Sequence, residues 1–241
     1  MSPIGALRSL LDKSLIRLLR YIDVRVHPPQ EREDDVVKLV RRRALASSAD
    51  FVEAHLDQAM LFDKREDLWR YVAGKVQVKG LFAEFGVYAG WSINFLARLF
   101  RSRGITLYGF DSFEGLREDW RGTDMAAGHF DRQGKLPAVE QNVTLVKGWF
   151  EQTLPTFLAA HPGELFSFVH IDADTFETAT LVLSLLAGRI ARGTVVLFDE
   201  YIGFPNWREG EFRAWQEFAA RQGLRFHYLG FSVTQAALQV L

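Results

Sequence analysis

The sequence predicts an α/β fold: a three-layer αβα sandwich around a mostly parallel seven-stranded sheet with an antiparallel C-terminal hairpin, preceded by a helical N-terminal extension. Three observations carry this. From Lys79 onward short β-rich apolar runs alternate with helical stretches, and such alternation makes a parallel sheet covered on both faces. The first eighty residues instead place apolar side chains at helical spacing. The chain ends on two apolar runs a few residues apart, RFHYLGFSV and AALQVL, the pattern of a hairpin. The expected division is a helical extension or cap over 1–78 and a sheet domain over 79–241.

Taken in order, residues 5–22 carry Leu7, Leu10, Leu11, Ile16, Leu18 and Leu19 at helical spacing with Arg and Lys between them, until His27-Pro28-Pro29 stops the pattern. Such an amphipathic helix is expected to pack on its own domain in preference to a membrane surface or a second copy, although it makes a homodimer or higher oligomer reasonable. Two more helices are expected over 31–48 and 50–74, the second capped by Ser48 or Asp50 and ended by Gly74. The strands follow as LFAEFGV, ITLYGFD, VTLVKGW, FSFVHID and TVVLFDE. Between them SINFLARLF, LPTFLAAH and FETATLVLSLLAGRI read as helices. The link from Ser112 to Asn142 is too long for a simple connection and is a candidate binding loop or lid.

Of the 241 residues 48% are hydrophobic and 24% charged, with a net charge of -1, ordinary values for a soluble globular protein. There is no electrostatic footprint for nucleic acid, and Arg41-Arg42-Arg43 is read as a solvated helix end. The absence of cysteine excludes disulfides, thiolate metal sites and a cysteine nucleophile. The N-terminus lacks the apolar core and cleavage site of a signal peptide, and no stretch approaches the roughly 20 apolar residues of a bilayer span. A cytoplasmic protein that engages neither membrane nor nucleic acid is expected.

In an open parallel sheet the ligand sits beyond the carboxyl ends of the strands, where strand order reverses. The first strand ends in Glu84-Phe85-Gly86-Val87-Tyr88-Ala89-Gly90, with Ser92 opening the next helix. This G-x-x-x-G turn lacks the G-x-G-x-x-G spacing that admits a pyrophosphate. The second strand ends in Asp111, whose carboxylate can accept both hydroxyls of a ribose, followed by Ser112 and by Phe113 within reach of a base. The third ends in Gly148-Trp149-Phe150, an aromatic wall or backbone amide for the other side of that base. An adenosine without phosphates is the economical ligand.

The segments EFGVYAGWS, GFDSFEGL, KGWFEQTLP, HIDADTFET and FDEYIGFPNWREGEFRAW, together covering residues 81 to about 215, resemble class I S-adenosylmethionine (SAM) dependent methyltransferases of Rossmann-like fold. Within that class they resemble the macrocin O-methyltransferase family, whose members methylate sugar hydroxyls of natural products. The resemblance implies that Glu84, Gly86 and Gly90 line the methionine part of SAM, that Ser92 helps hold its carboxylate, and that Asp111 takes the ribose. Tyr88 stands where many members have a glycine, and its side chain is expected against the cofactor.

The fourth strand ends in His170-Ile171-Asp172-Ala173-Asp174 and the fifth in Asp199-Glu200-Tyr201. Carboxylates gathered at adjacent strand ends repel unless a cation sits among them, and oxygen ligands without cysteine favour magnesium or another hard divalent ion. Asp172, Asp199 and Glu200 match the acids of metal-dependent O-methyltransferases, with Asp174 as a fourth candidate. The alternative is that these acids cap helices or pair with Arg and Lys. Asp172 is also the candidate base. Catechol-type enzymes place a lysine where this chain has Thr175, so the proton must go to a carboxylate, a histidine or water. His170 is expected to face away from the neighbours of Asp172 as a satisfied core histidine, while His129 lies in the loop with either role open. Trp120, Phe204 and Trp207 flank the expected acceptor side, where stacking on a sugar or aromatic ring and plain loop anchoring are both open.

The expected function is SAM-dependent, metal-assisted O-methylation of a hydroxyl on a small molecule such as a natural-product sugar. A non-catalytic SAM-fold module acting through a partner protein is the alternative. A nicotinamide-dependent oxidoreductase is disfavoured by the missing glycine fingerprint.

Overall fold

The computed structural model describes residues 35–77 and 79–241. Residues 41–241 form one compact unit, and all tertiary contacts below lie within it; of the other unit, Met1–Val40, the described residues open the first helix. The amphipathic stretch over 5–22, and the dimer contact argued from it, lie outside the described residues.

Helix α1 (Val36–Glu53) is started by the carboxylate of Asp35, which accepts from the Val37 backbone amide at 3.0 Å. It runs unbroken through Ser48 and Asp50, so neither caps a second helix. The Ser48 hydroxyl donates to the Ala44 carbonyl at 2.8 Å and accepts from the Gly203 amide at 2.8 Å, a tertiary bond that removes it from capping. Arg41 to Arg43 accordingly lie within a helix and not at its end. The expected helix over 50–74 is replaced by the tail of α1, strand β1 (Met60–Phe62) and helix α2 (Arg65–Lys75). Three residues are too few to show strand alternation in sequence. β1 exists because its backbone pairs in parallel with β7, 170 residues away in register from Met60 to Gly230.

The remaining elements alternate as expected: β2 (Leu81–Phe85), α3 (Trp91–Arg101), β3 (Leu107–Asp111), β4 (Val143–Lys147), α4 (Phe150–Ala160), β5 (Phe166–Ile171), α5 (Phe176–Leu185) and β6 (Val195–Phe198). Helix α6 (Glu211–Gln222) follows a single 3-10 turn and ends at Gly223, which takes the left-handed conformation at φ 64°. No helix is expected over this segment from the sequence. The hairpin β7 (Phe226–Ser232) and β8 (Gln235–Val240) closes the chain.

Among the described residues the sheet has eight strands and not seven, in the order β1-β7-β8-β6-β5-β2-β3-β4, with β8 antiparallel to both neighbours. Strand order reverses between β2 and β5, which opens a cleft beyond their carboxyl ends. Alternation along β2 sends Leu81, Ala83 and Phe85 into a core shared with α4, α5 and α6, and Phe82 into a core shared with α2 and α3. Two cores on opposite faces are the three-layer sandwich. Among the described residues, no helix is long and apolar enough to cross a membrane.

The link over 112–142 forms neither helix nor strand but folds on itself. Leu116 and His129, then Gly128 and Leu116, exchange backbone hydrogen bonds of 2.9 and 2.8 Å, and the Phe113 carbonyl accepts from Arg132 and Gly134. Self-bonded in this way, it holds a fixed wall over the cleft.

Candidate active site

A cavity of about 390 Å³ occupies the switch point, walled on one side by the ends of β2, β3 and β4, on the other by the ends of β5 and β6, and roofed by the 112–142 loop. That volume falls in the range of small-molecule sites. Gly86 sits where the two sides meet. Its φ of +94° suits glycine, and a Cβ there would lie 1.8 Å from the Asp172 carbonyl oxygen. Close approach of the two strand exits therefore requires this glycine.

On the β2–β3–β4 side the backbone is arranged by one carboxylate. Oδ2 of Asp111 accepts from the amides of Val87 and Tyr88 at 2.8 and 2.7 Å, and Oδ1 accepts from Phe113 at 2.6 Å. Each oxygen offers about two lone-pair sites, so Oδ1 retains acceptor capacity toward a ligand. Tyr88 lines the cavity and packs its ring 5.2 Å from Phe130 of the roof. Trp149, just beyond β4, also lines the cavity beneath Arg117, whose guanidinium stands 4.2 Å from the ring centroid and pairs with Glu151.

The β5–β6 side concentrates acid. Ligand atoms of His170, Asp172 and Asp199 lie within 4.8 Å of one another, as do those of Asp172, Asp174 and Glu200, so Asp172 belongs to both sets. Burial, then the charges of Asp199 and Asp174, push Asp172 well above the usual carboxylate range. Burial, then Asp199 and Asp172, do the same to Glu200, whose Oε2 is buried without a hydrogen-bond partner. Burial, with Asp199 and Asp111, pushes Asp174 up to about 7. Asp199 goes the other way. Burial opposes its charge, but the imidazole of His170 and the amide of Gln235 hold it well below the ordinary value.

Beneath this floor lies a buried polar chain that the sequence reading divided wrongly. The His170 ring lies with Asp172 and Asp199, their ligand atoms within 4.8 Å of one another, and not away from the neighbours of Asp172. Its Nδ1 is 3.0 Å from Glu84 Oε2, while Nε2 lacks a hydrogen bond and stands 3.9 Å from Asp199 Oδ1. Burial pulls His170 down, yet the carboxylates of Asp199 and Glu84 outweigh it and raise the ring well above its usual value. Glu84 is fully buried and accepts from Ser92 at 2.8 Å.

Four residues missed in the sequence complete the surroundings. Glu211 at the start of α6 accepts the amides of Ala173 and Glu200, both at 3.1 Å, and so ties the two acidic strand ends together. Burial pushes it up to about 8, against those two bonds. Gln235 donates to Asp199 and accepts from Trp69, and Arg65 reaches within 4.0 Å of Asp199. Nothing local announces these roles, because Trp69 and Gln235 meet across 166 positions of chain.

Residues 83–201 match the family profile described as a methyltransferase domain. The chain is 29% identical over 164 residues to 8-demethyl-8-(2,3-dimethoxy-alpha-L-rhamnosyl)-tetracenomycin-C 4'-O-methyltransferase of Streptomyces olivaceus, covering 57% of this chain and 60% of that protein. It is 25% identical over 161 residues to demethyldecarbamoylnovobiocin O-methyltransferase of Streptomyces niveus, covering 57% and 59%. The chain thus matches about 60% of the length of these curated relatives. Among solved structures, CalS11, a calicheamicin methyltransferase, has the same fold with a TM-score of 0.57 at 22% identity, over 92% of this chain and 90% of that one.

The cavity is lined by Gly86, Tyr88, Asp111, Ser112, Gly148, Trp149 and Phe150 of the expected cofactor residues, and by Asp172, Asp199 and Glu200 of the expected metal residues. Four others stand back from it. Glu84 and Ser92 bond to each other under the floor, and Gly90 caps α3 at φ 82°. Phe113 is 1% exposed in the core, so its ring does not reach a base; its backbone shapes the turn instead. Thr175 caps α5 by accepting from Thr178 at 3.2 Å. Trp120 lines the cavity, but Phe204 meets it only through a 5.8 Å ring contact. Trp207 is buried on α1 with its indole donating to Ser47 at 3.0 Å, the anchoring role. His129 packs on Phe130 outside the cavity.

Proposed function

We propose that this protein is a SAM-dependent O-methyltransferase that acts, with a hard divalent cation such as magnesium, on a hydroxyl of a small molecule such as a natural-product sugar. The observation that carries the reading is one cavity shared by the Asp111 turn and the acid cluster, with Glu200 Oε2 buried and unpartnered within that cluster. Buried acids of raised pKa are a stable arrangement only when protonated or when a cation joins them.

The acids fit the cation. Asp172, Asp199 and Glu200 are the proposed ligands, with Asp174 beside Asp172 and Glu200 as the fourth acid. A divalent ion bound there lowers the pKa of a hydroxyl beside it. SAM supplies an activated methyl group on sulfur. The chain's own residues do the rest. Asp111 and the amides it organises shape the adenosine side, Gly86 lets the two strand exits approach each other on the methionine side, and Trp149 is the wall against the base. The 112–142 loop contributes Leu116, Trp120, Met125 and Phe130 to the cavity lining. Asp172, the candidate base at the end of β5, would take the proton of the acceptor hydroxyl. The rhamnosyl group in the name of the Streptomyces olivaceus relative supports a glycosylated acceptor. A small-molecule acceptor agrees with a near-neutral chain and a cavity of about 390 Å³, and a cytoplasmic location agrees with the need for SAM.

Titration calorimetry with S-adenosylhomocysteine, followed by transfer of labelled methyl from SAM to glycosylated aromatic acceptors with magnesium or with EDTA, tests the reading. Binding and EDTA-sensitive transfer restored by magnesium are expected. Failure to bind S-adenosylhomocysteine would overturn it, and transfer indifferent to EDTA would remove the cation.

A further inference from the structure

Asp199 faces competing partners. Its Oδ1 stands 3.9 Å from His170 Nε2, and its Oδ2 stands 4.0 Å from the Arg65 guanidinium. A carboxylate free to rotate would close onto one of these cations and withdraw its oxygens from the cavity. One group prevents that. The antiparallel register pairs Phe198 with Ala236, which sets Gln235 of β8 beside Asp199, and the Gln235 side-chain amide donates to Oδ1.

The direction of this bond is fixed from behind. Trp69 of α2, fully buried, approaches Gln235 Oε1 with its indole Nε1 at 2.8 Å. An indole nitrogen can only donate, so the oxygen of the Gln235 amide must face Trp69 and the NH₂ must face Asp199. Gln235 is 1% exposed, and a relay shielded from water holds its geometry more strongly than a surface pair. Strand alternation supplies the alignment. Gln235 shares the α2 side of the sheet with Ala237, where Trp69 also packs.

We propose that Gln235 is a positioning residue for the cation site: held in one orientation by Trp69, it fixes the rotation of the Asp199 carboxylate at the cavity. This rests on the cation reading above. The relay links α2, near the start of the described chain, to the acid cluster through the last strand, so the hairpin is part of the site's support and not only an edge of the sheet.

The test measures manganese(II) affinity of the full chain by electron paramagnetic resonance, with S-adenosylhomocysteine affinity and thermal midpoint recorded on the same samples. Gln235→Met keeps the volume and removes both bonds; it is expected to weaken manganese binding on the order of 10–100-fold, the usual loss when an outer partner of a metal ligand is removed, and to leave S-adenosylhomocysteine affinity within about twofold. Trp69→Phe keeps the packing but frees the amide to flip, with a loss in the same direction of roughly threefold to tenfold. If Gln235→Met does not fold, Trp69→Phe decides alone. Lower midpoints with unchanged manganese affinity would reduce Gln235 to a packing residue and overturn the assignment while the cation reading stands. Wild-type protein that binds S-adenosylhomocysteine but no manganese would overturn both.

Discussion

The two sides of the cavity solve opposite electrostatic problems. On the β2–β3–β4 side one carboxylate, Asp111, is surrounded by three backbone amides and shapes the turn by accepting from them. On the β5–β6 side Asp172, Asp174 and Glu200 crowd together with too few donors, and their pKa values rise. The first side is complete in itself; the second needs a cation or protons. The contrast is between one strand-end acid that organises backbone and counterparts across the cleft whose charges lack compensating donors.

The two sides meet at Gly86, and the largest expected effect lies there. Gly86→Ala sets a Cβ against the Asp172 carbonyl in a left-handed conformation and should cost about 3 kcal/mol or more, read as a lower urea midpoint with both S-adenosylhomocysteine and manganese binding lost. An unchanged midpoint would mean that the two sides are not joined at this residue. Asp199→Ala should separate them: methyl transfer falls on the order of 100-fold, about 2.7 kcal/mol in barrier, while S-adenosylhomocysteine affinity holds within about twofold. A parallel fall in both quantities would break the comparison. The converse change, Asp111→Ala, should weaken S-adenosylhomocysteine binding by about 1–3 kcal/mol and spare manganese affinity. Calorimetry showing no change would withdraw Asp111 from the cofactor side.

The smallest effect concerns the layer behind the acids. The hydroxyls of Tyr201 and Tyr228 lie 2.9 Å apart and share Gln216. Burial raises Tyr201 well above its ordinary value and Tyr228 to about 12, the latter against hydrogen bonds from Tyr201 and Gln216. Because the folded values lie above the unfolded value near 10, the folded state keeps protons that the unfolded state releases. Their contribution to stability is full below about pH 10 and is lost as pH rises toward about 12. Tyr228→Phe should cost about 1 kcal/mol at neutral pH and flatten that alkaline decline in urea titrations. An alkaline limb as steep as that of the parent would place the titration elsewhere.

Much of this was legible residue by residue. The strands from Leu81 to Phe198 announced themselves because each is a short apolar run closed by a glycine or an acid, and the sheet then carried Asp111, Trp149, Asp172 and Glu200 to one cleft. Three features were not legible. β1 is only Met60–Phe62, and its strand character comes from β7. Ser48 looked like a cap because serine is a good one, yet the amide of Gly203 claims its hydroxyl. Phe113 seemed free to reach a base, but the turn sends its ring into the core.

Local chemistry in the chain, then, was enough to set the alternating α/β architecture and the order in which functional groups reach the strand ends, since apolar periodicity and turn residues act over a few positions. Which acids remain uncompensated, which face His170 takes, and that Gln235 braces Asp199 were settled only by tertiary structure. Burial and hydrogen-bond partners are properties of neighbours in space, and the decisive neighbours here, Trp69, Asp199, Glu211 and Gln235, come from four separate stretches of the chain.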